Sequence, residues 1–528
     1  MREINWPEID SDHLIVSSQQ MLDLEKGLFS IGMPQESLME KAGILMSNWL
    51  LDRPDLLENG VIVVIGPGNN GGDGAVIARE LFLNGVLVTV WCPLPIKKTL
   101  TNKHLNYITS LGVNQITKKP DFKNHDLWID SIFGNNQNRA TDQEIIELFN
   151  SKFDNNFGRI VSIDVPTGLC PNSGKTFSGI SVKANFTLSV GLKKIGILQD
   201  PALDCVGEIH NIDIGIPKKL FRDINKKIIS VSYQDINAIN LSLPPKNTSK
   251  YNRGRTLLIV GSGKYPGASL LAIKGAISSG VGSVKVIIPE ELKQTVVRVA
   301  PEVVIQDYSE QSIDGDSIIY NSIKNLDLNT FDSVIIGPGI GVNKDDWRNL
   351  TKSLIEYKGL LILDADALNR ISRTQTGYDF FLRRLFKTWI TPHMGEFRRL
   401  FPLIKEVNNV RLAINAAEKF NISILLKGAN TIIANSKGNA WQIYGTDPLT
   451  ARAGLGDLLA GFVAGMSALE ISSGRDVGTE SLVKYALLHS YAAFKSIDGT
   501  NASIIADELA RVTRDIKRDK CHERNNLL

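Results

Sequence analysis

The sequence predicts an α/β protein built from two parallel-sheet domains in series. Three observations carry that expectation. Short β-branched runs bounded by turn residues alternate with helical patterns along nearly the whole chain. Each half contains a strand that leads into a glycine-rich turn and then a helix. The length, 528 residues, exceeds what one ordinary hydrophobic core organises. In the first half strands are expected at residues 61–65, 86–91, 127–130 and 160–164, and the rhythm resumes at 256–260, 284–288, 333–336, 360–363 and 422–426. Between the halves, Lys218, Lys219, Lys226 and Lys227 and the pair Pro244 and Pro245 interrupt the pattern. A break of this composition places the boundary near Asn225, with domains at residues 1–225 and 226–528. The two glycine turns differ in spacing, so no internal repeat is read.

Hydrophobic residues make up 43% and charged residues 22%, the balance of a globular chain and not of a disordered one. A formal charge of +3, with Lys and Arg dispersed, argues against nucleic acid as the main partner. Cys92, Cys170, Cys205 and Cys521 form no C-x-x-C pair, so neither a zinc site nor a disulfide framework is expected. The opening residues carry Glu3, Glu8, Asp10 and Asp12 and no apolar run, so no signal peptide is expected and the expected compartment is cytoplasmic. The apolar stretch at residues 458–469 is interrupted by Gly461 and Gly465 and is shorter than the roughly 20 residues of a spanning helix. It reads as a buried helix, with no membrane partner.

The first glycine segment, VIVVIGPGNNGGDGAVIAR at residues 61–79, reads as a buried strand, a turn and a helix beginning near Ala75. Glycines between a strand and a helix let backbone N–H groups approach an anion at the positive end of the helix dipole, which makes a phosphate site. Later strand ends carry acids, Asp130 in LWIDSIFG and Asp164 in VSIDVPTG. The carboxyl ends of strands in an open parallel sheet line one crevice, where Asn70, Asp130, Asp164 and Thr167 can converge. A strand-terminal Asp164 that only caps its turn is the plainer alternative.

GPGNNGGDG, DSIFG, IDVPTGL and NIDIGIP closely resemble the NAD(P)HX epimerase domain, over residues 1–217. The resemblance implies a Rossmann-like sheet that acts on the hydrated nicotinamide ring of damaged NADH or NADPH and interconverts the epimers at the carbon bearing the added hydroxyl. It implies that Asn69, Asn70, Gly71, Gly72 and Asp73, the loop Gly134, Asn135, Asn136, Gln137, Asn138 and Arg139, and Asp164 contact this substrate. It also implies a potassium ion held by Asn70, Asp130 and Thr167, whose amide, carboxylate and hydroxyl oxygens suit such an ion. Asp164 is the candidate acid/base residue, because epimerisation needs a proton moved beside the ring. The chain departs from the family's usual pattern at Asn135 and Asn136, where Thr-Gly is common, and at Cys170, where Asp is usual.

The second half carries GRTLLIVGSGKYPGASLLAIKGA (residues 254–276), VIIGPGIG (334–341), LILDADALN (361–369), ITPHMGEF (390–397), LLKGANTIIA (425–434) and AGLGDLLAGFVAG (453–465). Gly454 and Gly456 at a helix start can offer backbone N–H groups to a transferring phosphoryl group, and Asp457 can take the proton from the attacking hydroxyl. Together these segments resemble the ADP- or ATP-dependent NAD(P)HX dehydratases of the ribokinase-like superfamily, over residues 228–514. The resemblance implies a C-terminal ribokinase-like α/β domain in which Ala268, Gly341, His393 and Asp457 face the hydrated dinucleotide. Lys427, Gly428, Ala429, Asn430, Thr431 and Gly456 would face the adenine nucleotide, ADP or ATP with Mg2+. Asp364 and Asp366 either support a magnesium-bound phosphate through water or cap the next helix. Leu455 stands where the family commonly has Thr.

The whole chain is thus expected to epimerise the R and S forms of hydrated NADH and NADPH and to dehydrate the S form at the expense of ADP or ATP, as a homo-oligomer. Two other readings stay open: a ribokinase-like small-molecule kinase, and a nucleotide-binding protein in which Asn135, Cys170 and Leu455 mark lost catalysis.

Overall fold

The computed structural model describes residues 6–221, 224, 227–241, 248–308, 318–342, 345–374, 377–445, 448–496 and 499–525. The chain forms two compact units, Ile9–Ile229 and Ser230–Leu528, the second also taking in residues 6–8. The division falls just after the expected Asn225, which itself lies outside the described residues. Residues 6–8 leave the first domain for a local reason: Trp6 is buried, its Nε1 donates to Asp235 O at 3.1 Å, and the Lys484 ammonium lies over its ring.

The sheet of Ile9–Ile229 runs Asn114–Ile116, Val88–Trp91, Val61–Ile65, Leu127–Ser131, Ile160–Ile163, Phe186–Val190, Glu208–Ile212, every pair parallel. Because side chains alternate along a strand, Val61, Val63 and Ile65 enter one apolar layer with Met46 and Ile77, while Ile62 and Val64 enter the other with Trp128 and Phe149. The strand order reverses between Val61–Ile65 and Leu127–Ser131, and a ligand crevice is expected beyond the carboxyl ends of strands at such a point.

The helix after the glycine turn starts earlier than expected, at Asn69 and not near Ala75, and runs to Leu83. Glycine is a poor helix former, yet here tertiary packing overrides propensity. A Cβ on Gly71 would run into the Gly66 backbone, one on Gly72 into Met39, and one on Gly74 into Ser131. Their bare backbone is what lets the helix lie against the turn, the helix Gln35–Leu51 and the strand Leu127–Ser131.

In the second unit Val304–Tyr308, Ser283–Pro289, Arg255–Ile259, Ser333–Ile336, Leu360–Leu363, Thr388–Ile390 and Ser423–Leu426 lie side by side and parallel. Ile432–Ala434 and Ala440–Ile443 extend the sheet antiparallel, a departure from the purely parallel expectation. The short loop at residues 427–431 allows only a hairpin there, since a parallel return needs a dozen residues or more.

Leu455–Ser472 is long and apolar enough to cross a membrane by length and composition alone, and it is largely buried inside this unit. It packs on Pro266–Ser278 at very close range, Gly275 against the Leu458 carbonyl and Gly461 against the Ala272 carbonyl. The glycines that interrupt the apolar run are therefore contact points between two helices.

Candidate active sites

In the first unit a cavity of about 270 Å³ opens at the strand ends beside Asn69–Leu83. Its acid/base candidate is Asp164, the residue after Ile160–Ile163, held at φ +70°. A left-handed backbone is costly for Asp, and it persists because its contacts over-determine it. Asp164 N donates to Leu188 O at 2.7 Å, and its carboxylate accepts from Asn135 N at 2.7 Å and Val190 N at 3.3 Å. The buried Lys194 ammonium completes the set as an ion pair.

Two further acids line the cavity, Glu25 from Ser18–Ser30 and Asp73 from Asn69–Leu83. Burial pushes the Asp73 carboxyl well above the usual range, Asp164 and Glu25 add to this, and Lys194 opposes it. Burial likewise raises Glu25, with Lys194 opposing and Asp164 adding. One ammonium thus serves three carboxyl groups.

Asn69, Asn70, Gly134, Asn135, Asn136 and Gln137 also reach this cavity. Asn135 and Gln137 hold the loop in place as well: Asn135 Nδ2 donates to Ser18 O and Ser18 Oγ donates to Asn135 O, while Gln137 joins Pro166 O and Gly168 N. Gly71, Gly72, Asn138 and Arg139 are not brought to the cavity. A Cβ on either glycine would meet packed neighbours, and Asn138 and Arg139 are exposed and outside the lining. Cys170 lies outside the lining, and nothing in the structure explains its place there.

Asp130 is fully buried beneath this cavity. Its carboxylate accepts from Thr167 Oγ1 (2.7 Å), Thr167 N (2.9 Å), Ser162 Oγ (3.0 Å) and Ile132 N (3.2 Å). All four donors are neutral, and burial raises its carboxyl despite them. Asn70 Nδ2 donates to Ile163 O at 3.4 Å, so the amide stands at the end of the neighbouring strand Ile160–Ile163.

The second site gathers at the carboxyl ends of the parallel strands in the other unit. Gly454, in a left-handed conformation, caps the start of Leu455–Ser472 and sets Gly456 and Asp457 in its first turn. Leu455 packs with Leu458, Ala493, Ile505 and Ala506, which accounts for an apolar residue at that position. Lys427, after Ser423–Leu426, pairs with the buried Asp364 at 2.8 Å. Burial raises the Asp457 carboxyl to about 7; Asp364 adds to this and Lys427 opposes it. Burial would lower the Lys427 ammonium, but Asp364 first, then Glu396, lift it above its ordinary value.

His393 caps Met394–Leu400 and lies beside Lys427 through a backbone bridge. Its Nδ1 accepts from Gly395 N at 3.0 Å, which leaves the proton on Nε2. Gly341, at φ +73° with open space where a Cβ would be, donates its N–H to Asp366 Oδ2 at 2.9 Å. Asp366 therefore holds the loop that carries Gly341, while Asp364 is the partner of Lys427. Ala268 packs against the Gly339 backbone in the same loop. Gly428 and Ala429 are exposed at the hairpin tip, Asn430 is buried, and Thr431 Oγ1 donates to Gly428 O at 3.3 Å.

Sequence reading missed Glu25, Lys194 and Glu396. Glu396 lies inside the quoted ITPHMGEF, but an isolated Glu in a motif carries no sign of burial, and Lys194 lies outside every quoted segment. Glu25 sits on a helix far away in sequence, and only folding brings it to Asp164.

Residues 256–513 match the family described as NAD(P)H-hydrate dehydratase, and residues 35–196 match the family described as YjeF-related protein N-terminus. The bifunctional NAD(P)H-hydrate repair enzyme Nnr of Synechocystis is 36% identical over 86% of this chain and 86% of its own. That of Gloeobacter violaceus is 35% identical over 86% of this chain and 89% of its own. Among solved structures, the ADP/ATP-dependent NAD(P)H-hydrate dehydratase of Bacillus subtilis, co-crystallised with ATP and Mg2+, is 25% identical and covers 54% of this chain and 97% of its own, with a TM-score of 0.42.

Proposed function

The chain belongs to the family of bifunctional NAD(P)H-hydrate repair enzymes, and from that premise we propose how its two sites divide the repair. The protein is an enzyme with an epimerase half and a dehydratase half, acting on hydrated NADH and NADPH. We assign dehydration to the site around Asp457 and epimerisation to the cavity around Asp164, in a cytoplasmic homo-oligomer.

The observation that carries the dehydratase assignment is the Asp457 carboxyl, raised to about 7 at the start of a helix and facing Lys427. A base is most effective when its pKa lies near the working pH. Asp457 takes the proton from the substrate hydroxyl as that oxygen attacks the terminal phosphorus of ADP or ATP. The nucleotide leaves one phosphate shorter, its charge met by Lys427 and the backbone N–H groups of the helix start. Phosphate then departs with the C–O electron pair, pushed by the ring nitrogen, and loss of a proton from the adjacent carbon restores the dihydropyridine. Ala268, Gly341 and His393 border the dinucleotide in this reading; Gly428, Ala429, Asn430, Thr431 and Gly456 border the adenine nucleotide. Magnesium, if bound with the nucleotide phosphates, would supply charge neutralisation there.

In the epimerase cavity Asp164, held by Lys194 and two backbone N–H groups, acts as the base, and Asp73, whose carboxyl burial raises well above the usual range, acts as the acid. Asp73 protonates the hydroxyl as the C–O bond breaks, the ring nitrogen stabilises the cation, and water adding to the opposite face yields its proton to Asp164. Asn69, Asn70, Gly134, Asn135, Asn136 and Gln137 orient the substrate there.

Asn70, Asp130 and Thr167 suit potassium. Their atoms supply oxygen donors with one full negative charge, and among the described residues the hydrogen-bond donors to the buried Asp130 are neutral. A bound cation would offset that burial and brace the strand ends under the cavity.

Incubating the purified protein with separated R and S forms of hydrated NADH, with and without ADP or ATP, tests the division. Nucleotide-dependent recovery of NADH from the S form and nucleotide-independent interconversion of R and S are expected. Recovery without nucleotide, or none from either form, overturns it.

A further inference from the structure

The second unit holds another cleft, of about 690 Å³, formed by the C-terminal end of Pro266–Ser278, the short helix Lys250–Arg253 and one face of Ala502–Asn525. It lies at the opposite end of Pro266–Ser278 from Ala268, separated from the dehydratase site by a helix of 13 residues, about 20 Å. Arg253, Arg511, Arg514, Lys517 and Arg518 line it, against one lining acid, Asp507.

Two of these cations are already matched, Arg511 to Glu508 at 2.7 Å and Arg514 to Asp515 at 3.5 Å. Among the described residues, Arg253, Lys517 and Arg518 have no carboxylate at ion-pair distance. Lys517 Nζ donates to Ser279 O at 3.1 Å and Arg253 Nη2 to Gly280 O at 2.8 Å. These bonds cap the helix C-terminus, which accounts for one donor on each side chain and leaves the rest of each cation directed elsewhere. Burial, then Arg253, lowers the Lys517 ammonium to about 8, against the pull of Glu470. The cleft therefore holds positive charge at a cost.

Thr513, on the same helix, is 2% exposed and lines the cleft, and its hydroxyl finds no partner among the described residues. A buried hydroxyl left unmatched is costly and calls for an explanation. Nothing in the dehydratase reaction uses it.

We propose that this cleft is a second anion site, which takes a small phosphate-bearing ligand carrying at least the charge of pyrophosphate. The arginine forks match phosphate oxygens in pairs, Lys517 adds a point charge, and Thr513 has a hydroxyl to give. The volume suits a nucleotide-sized molecule. This site is independent of the dehydratase centre, so its failure and the failure of that assignment are separate.

The test is calorimetric titration of inorganic pyrophosphate into the full-length protein, with citrate at matched ionic strength as the non-phosphate anion. One pyrophosphate site is expected to weaken at least tenfold in the double variant Lys517→Gln, Arg518→Gln and to persist in Lys427→Gln, which strips the ammonium from the dehydratase site. Thr513→Val, which keeps the side-chain volume, should weaken the same site severalfold and serves as the readout if the double variant does not fold. Citrate binding as tightly as pyrophosphate, or pyrophosphate binding that only Lys427→Gln abolishes, or none at all, overturns the proposal.

Discussion

Lys427 Nζ and Asp364 Oδ1 lie 2.8 Å apart beside Asp457, so the charge that lifts the Asp457 carboxyl and the charge that restrains it are paired with each other. Removing either partner should move the titration of Asp457 in opposite directions. The dehydratase kcat/KM is expected to rise with pH through about 7, as Asp457 loses its proton. Lys427→Met should shift that limb to higher pH by about one unit and Asp364→Asn should shift it lower. A pH profile that stays in place in both variants removes Asp457 as the titrating group.

Asp457→Asn keeps the size and the backbone anion site while deleting the base. Adenine nucleotide binding should persist, and nucleotide-dependent dehydration should fall ~10²–10⁴-fold. The same variant reads out on stability. A carboxyl raised in the folded state favours folding at low pH, and that contribution fades as pH rises from the unfolded value near 4 through about 7. Asp457→Asn should therefore melt above the parent at pH 8, with the difference gone by pH 4.

In the epimerase cavity Asp164→Asn and Asp73→Asn should each slow epimerisation ~10²–10⁴-fold while dehydration of the S form stays within about twofold. Measuring NADH recovery from separated R and S forms distinguishes the two activities. Full epimerase activity in Asp73→Asn would give the acid's role to Glu25.

Potassium dependence is read by epimerisation rates in potassium, sodium and bulky organic-cation buffers at matched ionic strength. Potassium is expected to give the fastest rate, and the advantage should vanish in Asp130→Asn. Equal rates in all three buffers would end the assignment of Asn70, Asp130 and Thr167.

The glycines of the first turn are predicted to differ in their tolerance of alanine. A Cβ on Gly71 meets the Gly66 backbone, which cannot move aside, whereas one on Gly72 meets the flexible end of Met39. Gly71→Ala should cost about 1–3 kcal/mol of stability by overpacking, and Gly72→Ala clearly less. Denaturant unfolding of the two variants decides it, and equal losses would mean that Met39 is as rigid as backbone.

Much of this molecule was legible in one dimension. Periodicity and turn residues located nine of the strands and most of the helix Leu455–Ser472, and the strings around Asn70, Asp164 and Asp457 carried the family, because chemistry at strand ends and helix starts is local in sequence. Local patterns carry no information on burial or on neighbours distant along the chain. Only the tertiary structure decided that a Cβ on Gly71 would meet the Gly66 backbone and one on Gly72 the Met39 side chain, and that the helix begins at Asn69. It alone brought Glu25 and Lys194 to Asp164, tied Asp364 to Lys427, and set Asp366 on Gly341 N–H. Charges and hydrogen bonds act across space within a few ångströms. The sequence determines which groups the protein owns, and the packing of helices on sheets decides which of them meet.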